Sequence, residues 1–278
     1  IEHGGAAGVA LPQIERRHQV LRRRNVEAES LRHALAGEAV LADQRRVRRH
    51  HACVVAVRPV RTADGGVRAG RIDAQRFVEL TAAGHGSPVT ASVTIMEGCD
   101  NFCSYCIVPY VRGRETSRSP RELLDEAKSL TLQGVKEITL LGQNVNSYVH
   151  EKMRFPGLLA AMSEIKGLYR IRFTTSHPKD LSPELIQCFA HMEKLCSHIH
   201  LPFQAGSNRV LKSMRRGYTR EKYMDLIGEL RKAKPGIAVT SDVMVGFPGE
   251  TPEEFELTLD LMRRVEFDNL FSFKYSDR

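Results

Sequence analysis

Residues 97–106 of this 278-residue chain read EGCDNFCSYC, which places Cys99, Cys103 and Cys106 within eight residues. Three thiolates at this Cys-x3-Cys-x2-Cys spacing can bind three irons of one cubane cluster, whereas the spacing suits disulfides poorly and is one ligand short of a closed zinc site. A zinc site or reduced core cysteines are the alternative. We interpret the stretch as an iron-sulfur loop with one iron open to a further ligand.

From residue 91 onward, apolar strand-like stretches alternate with amphipathic helical ones. Ser119-Pro120, Ser182-Pro183 and Thr251-Pro252 have the N-cap and first-turn proline that start helices. The predicted strands cover residues 92–96, 137–141, 169–174, 197–201, 238–245 and 269–273. This alternation implies parallel βαβ units, and about six units are too few for a closed eight-stranded barrel. We therefore predict an α/β fold with a partial parallel (βα)6 barrel.

The net charge of +8 is unevenly distributed. Residues 1–90 contain 15 Arg, no Lys and 9 acidic residues, whereas the remainder contains 26 basic and 24 acidic residues. The arginines reflect either the biased composition of a solvated segment or an RNA-binding arm. We expect residues 1–88 to form an irregular or poorly ordered Arg-rich segment, joined by a Gly- and Pro-containing linker to a domain of residues 89–278.

Targeting and membrane signals are not visible in the sequence. It contains no run of about eighteen apolar residues, and its first residues lack the basic-then-apolar order of a secretory signal. The cysteines are interpreted as reduced, and reduced cysteines are typical of the cytoplasm. We therefore expect a soluble cytoplasmic protein without a membrane partner.

The cysteine spacing, with Tyr105 just before the last cysteine, resembles the signature of the radical S-adenosylmethionine (SAM) enzymes. Three flanking stretches are similar to the MiaB-type tRNA methylthiotransferases: IMEGCDNFC at 95–103, VPYVRGRE at 108–115 and LGQNVNSY at 141–148. The resemblance runs from about residue 91 to the last residue. It implies a (βα)6 core, a 4Fe-4S cluster held by Cys99, Cys103 and Cys106, and SAM bound to the open iron.

The other strand ends are expected to complete the cofactor pocket, since active sites of parallel barrels lie at the carboxyl ends of the strands. An ordinary turn is the alternative for residues 142–144, and a helix-dipole interaction is the alternative for Glu250. No catalytic acid or base is predicted, because the protein's task is to bind, orient and exclude water. The candidate cofactor contacts are Tyr105, Gly142, Gln143, Asn144, Ser176, Gln204, Gly246 and Glu250.

Four arginines follow the predicted strand ends: Arg112, Arg114, Arg215 and Arg216. Arginine at these positions can neutralise tRNA phosphates or bind the carboxylate of SAM. A solvated surface run is the alternative.

The resemblance implies addition of a methylthio group at C2 of an N6-isopentenyladenosine beside the tRNA anticodon. Threonylcarbamoyladenosine is the alternative substrate. The expected partners are the tRNA anticodon stem-loop and a reducing protein, such as a flavodoxin-type electron donor. We expect a monomer.

Two features depart from the family pattern. The family's N-terminal domain supplies three more cysteines for a second 4Fe-4S cluster, but residues 1–88 contain only Cys53. The chain also ends where the family continues into a C-terminal β-barrel domain that binds RNA, so we expect that domain to be absent. A SAM-cleaving fragment without the second cluster is therefore an alternative, and a basic RNA-binding module with a structural metal is another.

Overall fold

The computed structural model describes residues 89–277, and predictions about the Arg-rich segment, its linker and Cys53 lie outside these residues. The chain divides into two compact units. Of the described residues, the larger unit contains 89–243 and 251–271, and the smaller unit contains 244–250 and 272–277.

Two three-stranded sheets are formed by β1 (Thr90–Thr94), β4 (Glu137–Leu141), β7 (Arg170–Phe173), β8 (His198–His200), β9 (Ala238–Val245) and β10 (Asn269–Lys274). One sheet has the order β1-β4-β7 and is parallel throughout, and the other has the order β10-β9-β8, in which β8 and β9 are parallel. A parallel bridge between Ile171 and Leu195 connects β7 to the segment before β8. The predicted α/β fold with a partial parallel (βα)6 barrel is confirmed.

Four short strands form two antiparallel pairs: β2 (Met96–Glu97) with β3 (Thr116–Ser117), and β5 (Val149–His150) with β6 (Met153–Arg154). The predicted strand over residues 92–96 was displaced by two residues, because β1 covers Thr90–Thr94 and β2 begins at Met96. The Ile95 backbone N–H donates to Leu141 O, and Ile95 O accepts from the Arg118 N–H. The chain therefore leaves β4 at this point and continues beside β3.

The three predicted helix starts, at Pro120, Pro183 and Pro252, are confirmed, with one difference in capping. The Ser182 Oγ accepts from the Leu185 N–H at 3.2 Å, and Thr251 and Glu254 form a reciprocal capping box. Ser119 occupies its N-cap position without a side-chain capping bond. The helices are α1 (Val108–Arg112), α2 (Pro120–Leu132), α3 (Phe155–Ser163), α4 (Pro183–His191), α5 (Asn208–Ser213), α6 (Arg220–Ala233) and α7 (Pro252–Val265).

The core lies between the strands and these helices. Ile138 and Leu140 alternate along β4 and are fully buried, which is the period-two pattern of a strand that packs on one face. Leu123 and Ala127 lie one helical turn apart on α2, which contacts β1, and they are also fully buried. Between residues 89 and 277, no helix combines the length and apolarity that crossing a membrane requires.

Candidate active site

The cysteine loop, residues 97–106, follows β1 and β2. Cys99 and Cys103 are buried, Cys106 is half-buried, and none of the three is in a disulfide. The Cys106 N–H donates to Cys103 O at 2.9 Å and closes a turn between these ligand candidates. Burial raises the pKa of the Cys99 thiol. A bound metal has the opposite effect on a thiol, because it binds the deprotonated form.

Neighbouring segments hold the cysteine loop on two sides. The Cys99 N–H donates to Gly113 O at 3.2 Å, and the Ser104 N–H and Oγ donate to Met214 O and Ser213 O at 3.1 and 2.9 Å. Gly98 has a φ of 73°, and a Cβ there would lie 2.0 Å from Arg114 O. Glycine is therefore required where the loop passes the backbone of residues 113–114.

Arg216 was predicted to contact RNA phosphates or the SAM carboxylate, with a solvated surface run as the alternative, but it is only 5% exposed. Its guanidinium donates to Cys103 Sγ at 3.4 Å, to Pro202 O at 3.0 Å and to the Tyr218 hydroxyl at 3.2 Å. The preceding Arg215 has a φ of 58°, and this left-handed residue turns the chain so that Arg216 enters the interior. Arg216 is thus held away from solvent, where RNA phosphates would lie.

A second group of side chains follows β4 and β7, and we call Gln143, Asn144, Ser176 and His177 the polar pocket. Four buried atoms have no hydrogen-bond partner within the described part of the chain: Gln143 Oε1, Asn144 Oδ1, Ser176 Oγ and His177 Nε2. Buried polar atoms without partners are costly, so such a concentration indicates a site prepared for a polar ligand. Gln143, Asn144 and Ser176 were candidates from sequence.

Hydrogen bonds join the two halves of the polar pocket. Asn144 donates to Asp180 Oδ2 at 2.7 Å. Asn146 donates to His177 O and accepts from the His177 N–H, both at 2.9 Å. The His177 ring lies 5.7 Å from the Tyr218 ring, and Tyr218 contacts Arg216. These contacts bring the polar pocket close to the side chain that holds Cys103.

His177 and Asn146 were not among the candidate residues predicted from the sequence. Burial lowers the pKa of His177 to about 2, and the positive charges of Arg216 and Lys179 add to this effect. His177 Nδ1 accepts from the Lys179 N–H, so the proton of the neutral ring is assigned to Nε2. A clue was available, because His177 directly follows Ser176 at a predicted strand end.

The remaining candidates of the larger unit occupy constrained positions. At Gly142 a Cβ would lie 2.5 Å from Met96 Cγ, so the chain passes close to β2. Gln204 is 9% exposed, has a φ of 65° and donates its backbone N–H to Asp242 O at 3.0 Å. Burial raises the pKa of Tyr105. Non-glycine residues with positive φ, such as Gln204, are found at ligand sites more often than elsewhere.

Gly246 and Glu250 belong to the smaller unit. The Glu250 carboxylate accepts hydrogen bonds from the backbone N–H groups of Gly246 and Phe247 at 2.7 and 3.2 Å. Glu250 therefore closes the turn that follows β9.

Arg112, Arg114 and Arg215 are exposed. Arg114 pairs with Asp100 at 3.3 Å, and its guanidinium carbon lies 5.0 Å from the centre of the Phe102 ring. These arginines present positive charge to solvent beside the cysteine loop and the end of α5.

Whether this site can hold a metal cofactor depends on the side chains that the cysteine loop offers as ligands. Within residues 89–277, no three His, Cys, Asp or Glu side chains are placed as a group that could hold a metal ion. The three cysteines nevertheless supply uncrosslinked thiols on one short loop, the donors that iron-sulfur clusters use. Their donor chemistry fits a cluster, and their role as ligands stays a prediction.

Comparison with known proteins agrees with this architecture. A family model described as the radical SAM superfamily matches residues 93–262. A Geobacter sulfurreducens protein named tRNA-2-methylthio-N(6)-dimethylallyladenosine synthase is 55% identical over 227 residues, which are 79% of this chain and 51% of that protein. A protein of the same name from Desulfosudis oleivorans is 59% identical over 194 residues, which are 69% and 42% of the two chains. The chain thus spans about half the length of these relatives.

A solved structure shares the fold. The radical SAM methyltransferase TsrM from Kitasatospora setae superimposes with a TM-score of 0.55 at 22% identity, over 66% of this chain and 36% of that one. The chain is a partial parallel barrel, and its first strands lead into a three-cysteine loop. These two features place it among α/β barrel proteins whose site lies at the carboxyl ends of the strands. The chain belongs to the radical SAM superfamily. This family implies a 4Fe-4S cluster and SAM as cofactors.

Proposed function

We propose that this chain is the core of a tRNA methylthiotransferase that adds a methylthio group at C2 of an N6-isopentenyladenosine beside the anticodon. The observation that carries the proposal is a three-cysteine loop beside a pocket of unpartnered polar atoms, in a chain similar to proteins named for this reaction. Those names favour isopentenyladenosine over threonylcarbamoyladenosine. Residues 89–278 form the radical SAM domain in this proposal, and residues 1–88 form a separate segment.

Cys99, Cys103 and Cys106 would hold the 4Fe-4S cluster through three irons and leave the fourth iron to SAM. When bound, the two cofactors supply one-electron radical chemistry at the strand ends. The protein's own residues bind and orient. Burial of Cys99 and Cys103 limits the access of water to the cluster ligands, and the hydrogen bonds from Cys99 and Ser104 hold the loop in place.

The polar pocket would bind SAM through donors and acceptors that the fold leaves unpaired. Gln143 Oε1 and Asn144 Oδ1 accept hydrogen bonds, Ser176 Oγ can donate or accept, and the neutral His177 donates from Nε2. These groups match the amino, carboxylate and hydroxyl groups of SAM. The other proposed SAM contacts in the larger unit are Tyr105, Gly142 and Gln204, whereas Gly246 and Glu250 of the smaller unit stay candidates from the sequence.

The RNA partner would be the tRNA anticodon stem-loop. The exposed Arg112, Arg114 and Arg215 would contact its phosphates, which carries affinity without sequence specificity. The target adenine must be unstacked to reach the strand ends, and a loop nucleotide allows this at low cost. A reducing protein of the flavodoxin type would supply electrons to a monomeric, cytoplasmic enzyme.

A second candidate function is SAM cleavage without sulfur insertion. It is favoured because residues 1–88 contain a single cysteine, Cys53, which cannot supply three ligands to a second cluster. The two candidates therefore differ in iron content as well as in product.

Anaerobic reconstitution of the full chain separates these candidates. About eight irons per chain and methylthiolated tRNA, detected by mass spectrometry of nucleosides, would support the complete reaction. About four irons, with SAM cleavage and unmodified tRNA, would support the second candidate. A reconstituted chain that binds neither iron nor SAM would overturn both.

A further inference from the structure

Arg216 is a buried cation in direct contact with a proposed cluster ligand. Its side chain is 5% exposed, and it donates to three acceptors: Cys103 Sγ, Pro202 O and the Tyr218 hydroxyl. The guanidinium is thus satisfied in a fixed orientation, with one donor directed at sulfur. Burying a charge without such partners would be strongly unfavourable.

The acceptors of Arg216 come from separate parts of the chain. Cys103 lies in the cysteine loop, and Pro202 follows β8 in the stretch that leads to Gln204. The Tyr218 hydroxyl also donates to Phe203 O at 2.9 Å, so the aromatic ring is held by the same stretch. Arg216 therefore fixes the position of Cys103 Sγ relative to the end of β8.

A positive hydrogen-bond donor at a cluster sulfur has a defined electronic effect. The reduced cluster carries one more negative charge than the oxidised cluster, and a nearby cation stabilises the reduced state more. Hydrogen bonds to sulfur and burial are two of the properties that set the potential of iron-sulfur clusters. Because Arg216 is buried, its charge is screened less by solvent than that of an exposed arginine.

We propose that Arg216 is a positioning residue that raises the reduction potential of the cluster through its hydrogen bond to Cys103 Sγ. In the redox step, one electron passes from the external reductant to the oxidised cluster, and Arg216 keeps its proton throughout. This proposal rests on the proposed function, because it requires Cys103 as a cluster ligand. It assigns Arg216 a role distinct from that of exposed Arg215, which faces solvent.

The test is a potentiometric titration of the reconstituted full chain, followed by electron paramagnetic resonance of the reduced cluster. Arg216→Gln should lower the reduced-to-oxidised ratio at a fixed potential about tenfold, which equals about 59 mV for a one-electron couple. Arg216→Lys keeps the charge and should show a smaller shift. An Arg216→Gln potential equal to that of the unmodified chain would overturn the proposal.

Arg220 offers a matched control. It is 8% exposed, donates to Leu257 O and pairs with Asp260, and these partners do not include a cysteine. Arg220→Gln removes a buried cation and should therefore lower the stability of the fold, but it should leave the reduction potential of the cluster unchanged. A shift as large in Arg220→Gln as in Arg216→Gln would show a general effect of destabilisation and would contradict the proposal.

A measurement on the unmodified chain covers the case in which Arg216→Gln does not fold. Labelling arginine with 15N should give a weak hyperfine coupling between a guanidinium nitrogen and the reduced cluster, and its absence would overturn the proposal. If instead no cluster assembles in the unmodified chain, the proposed function fails. The two failures are therefore distinguishable.

Discussion

The cysteine loop and the polar pocket both lie at strand ends of the larger unit, but they differ in how far the fold satisfies their hydrogen-bonding groups. The loop donates hydrogen bonds from Cys99 and Ser104 to neighbouring segments, and Cys103 Sγ accepts one from Arg216. In the pocket, Ser176 and His177 are buried with side-chain atoms that lack a partner among residues 89–277. Among residues 89–277 the pocket has four such atoms and the loop has one, Asn101 Oδ1, so the fold itself satisfies the loop more fully, and the proposed polar cofactor would complete the pocket.

The largest expected effect is loss of the cluster when the loop thiols are removed. Cys103→Ala should reduce bound iron from about four per chain to background, because three thiolates are the minimum set that the loop supplies. Far-UV circular dichroism should remain unchanged. Cys188→Ala on α4 is the matched control, since this buried cysteine lies in the core, and it should retain iron.

This experiment also tests the alternative of an RNA-binding module with a structural metal. A structural metal site contributes its binding energy to folding, so replacement of all three loop cysteines would then unfold the chain. A folded triple variant that cannot cleave SAM would exclude that alternative.

The cysteine loop passes close to the backbone of residues 113–114, and a methyl group added at Gly98 would prevent this close contact. Gly98→Ala should lower the free energy of unfolding by about 2–4 kcal/mol, because the new Cβ would overlap the backbone of Arg114 at a positive φ. Gly113 (φ 78°, ψ −163°) also has a backbone conformation that favours glycine, but nothing lies within 4 Å of an added Cβ, so Gly113→Ala should lose only the backbone strain of about 1–3 kcal/mol, which is less than the loss in Gly98→Ala. Urea denaturation of both variants measures the difference, and equal losses would contradict the steric explanation.

Local patterns predicted the strands and helix starts well. The predicted strands at 137–141 and 238–245 match the observed bounds, because each is an apolar stretch bounded by polar turns. The end of β1 was missed, because it depends on the hydrogen bond between Ile95 and the distant Arg118. Local patterning cannot report a bond between segments that far apart in sequence.

The candidate site was also predictable only where local sequence patterns mark it. Cysteine spacing located the loop, and the positions after the strands located Asn144 and Ser176. Arg216 was a candidate contact of RNA phosphates or the SAM carboxylate because it lies in a basic run after a predicted strand, and only the turn at Arg215 directs it inward. His177 was passed over because its burial and missing partner arise from tertiary packing.

The neutral state of His177 should make stability depend on pH. Its pKa is about 2 in the folded chain, against an ordinary value of 6.5, so the unfolded chain binds a proton that the folded chain does not. The stability that depends on the neutral His177 ring is fully present above about pH 6.5 and is lost progressively as the pH falls toward 2. Between pH 7 and pH 5 this one group should remove about 2 kcal/mol of stability.

Denaturant titrations of the metal-free chain at the two pH values measure this loss. His177→Gln should be less sensitive to the change, because glutamine does not titrate. His191→Gln, on the exposed end of α4, controls for the substitution itself. An unchanged pH dependence in His177→Gln would contradict the assignment of a buried neutral ring.

The smallest effect separates binding from folding in the polar pocket. Ser176→Ala removes a buried hydroxyl without a partner in the described structure, so the ligand-free chain should change in stability by less than about 0.5 kcal/mol, while the SAM dissociation constant should rise about fivefold to tenfold. Ser207→Ala is the matched control, because Ser207 donates to Glu254 and caps α5, and it should lose about 1 kcal/mol of stability. Denaturant titration and equilibrium dialysis with SAM measure both quantities. If Ser176→Ala were destabilised as much as Ser207→Ala with unchanged SAM affinity, the hydroxyl would serve the fold, and the contrast between the polar pocket and the cysteine loop would not hold.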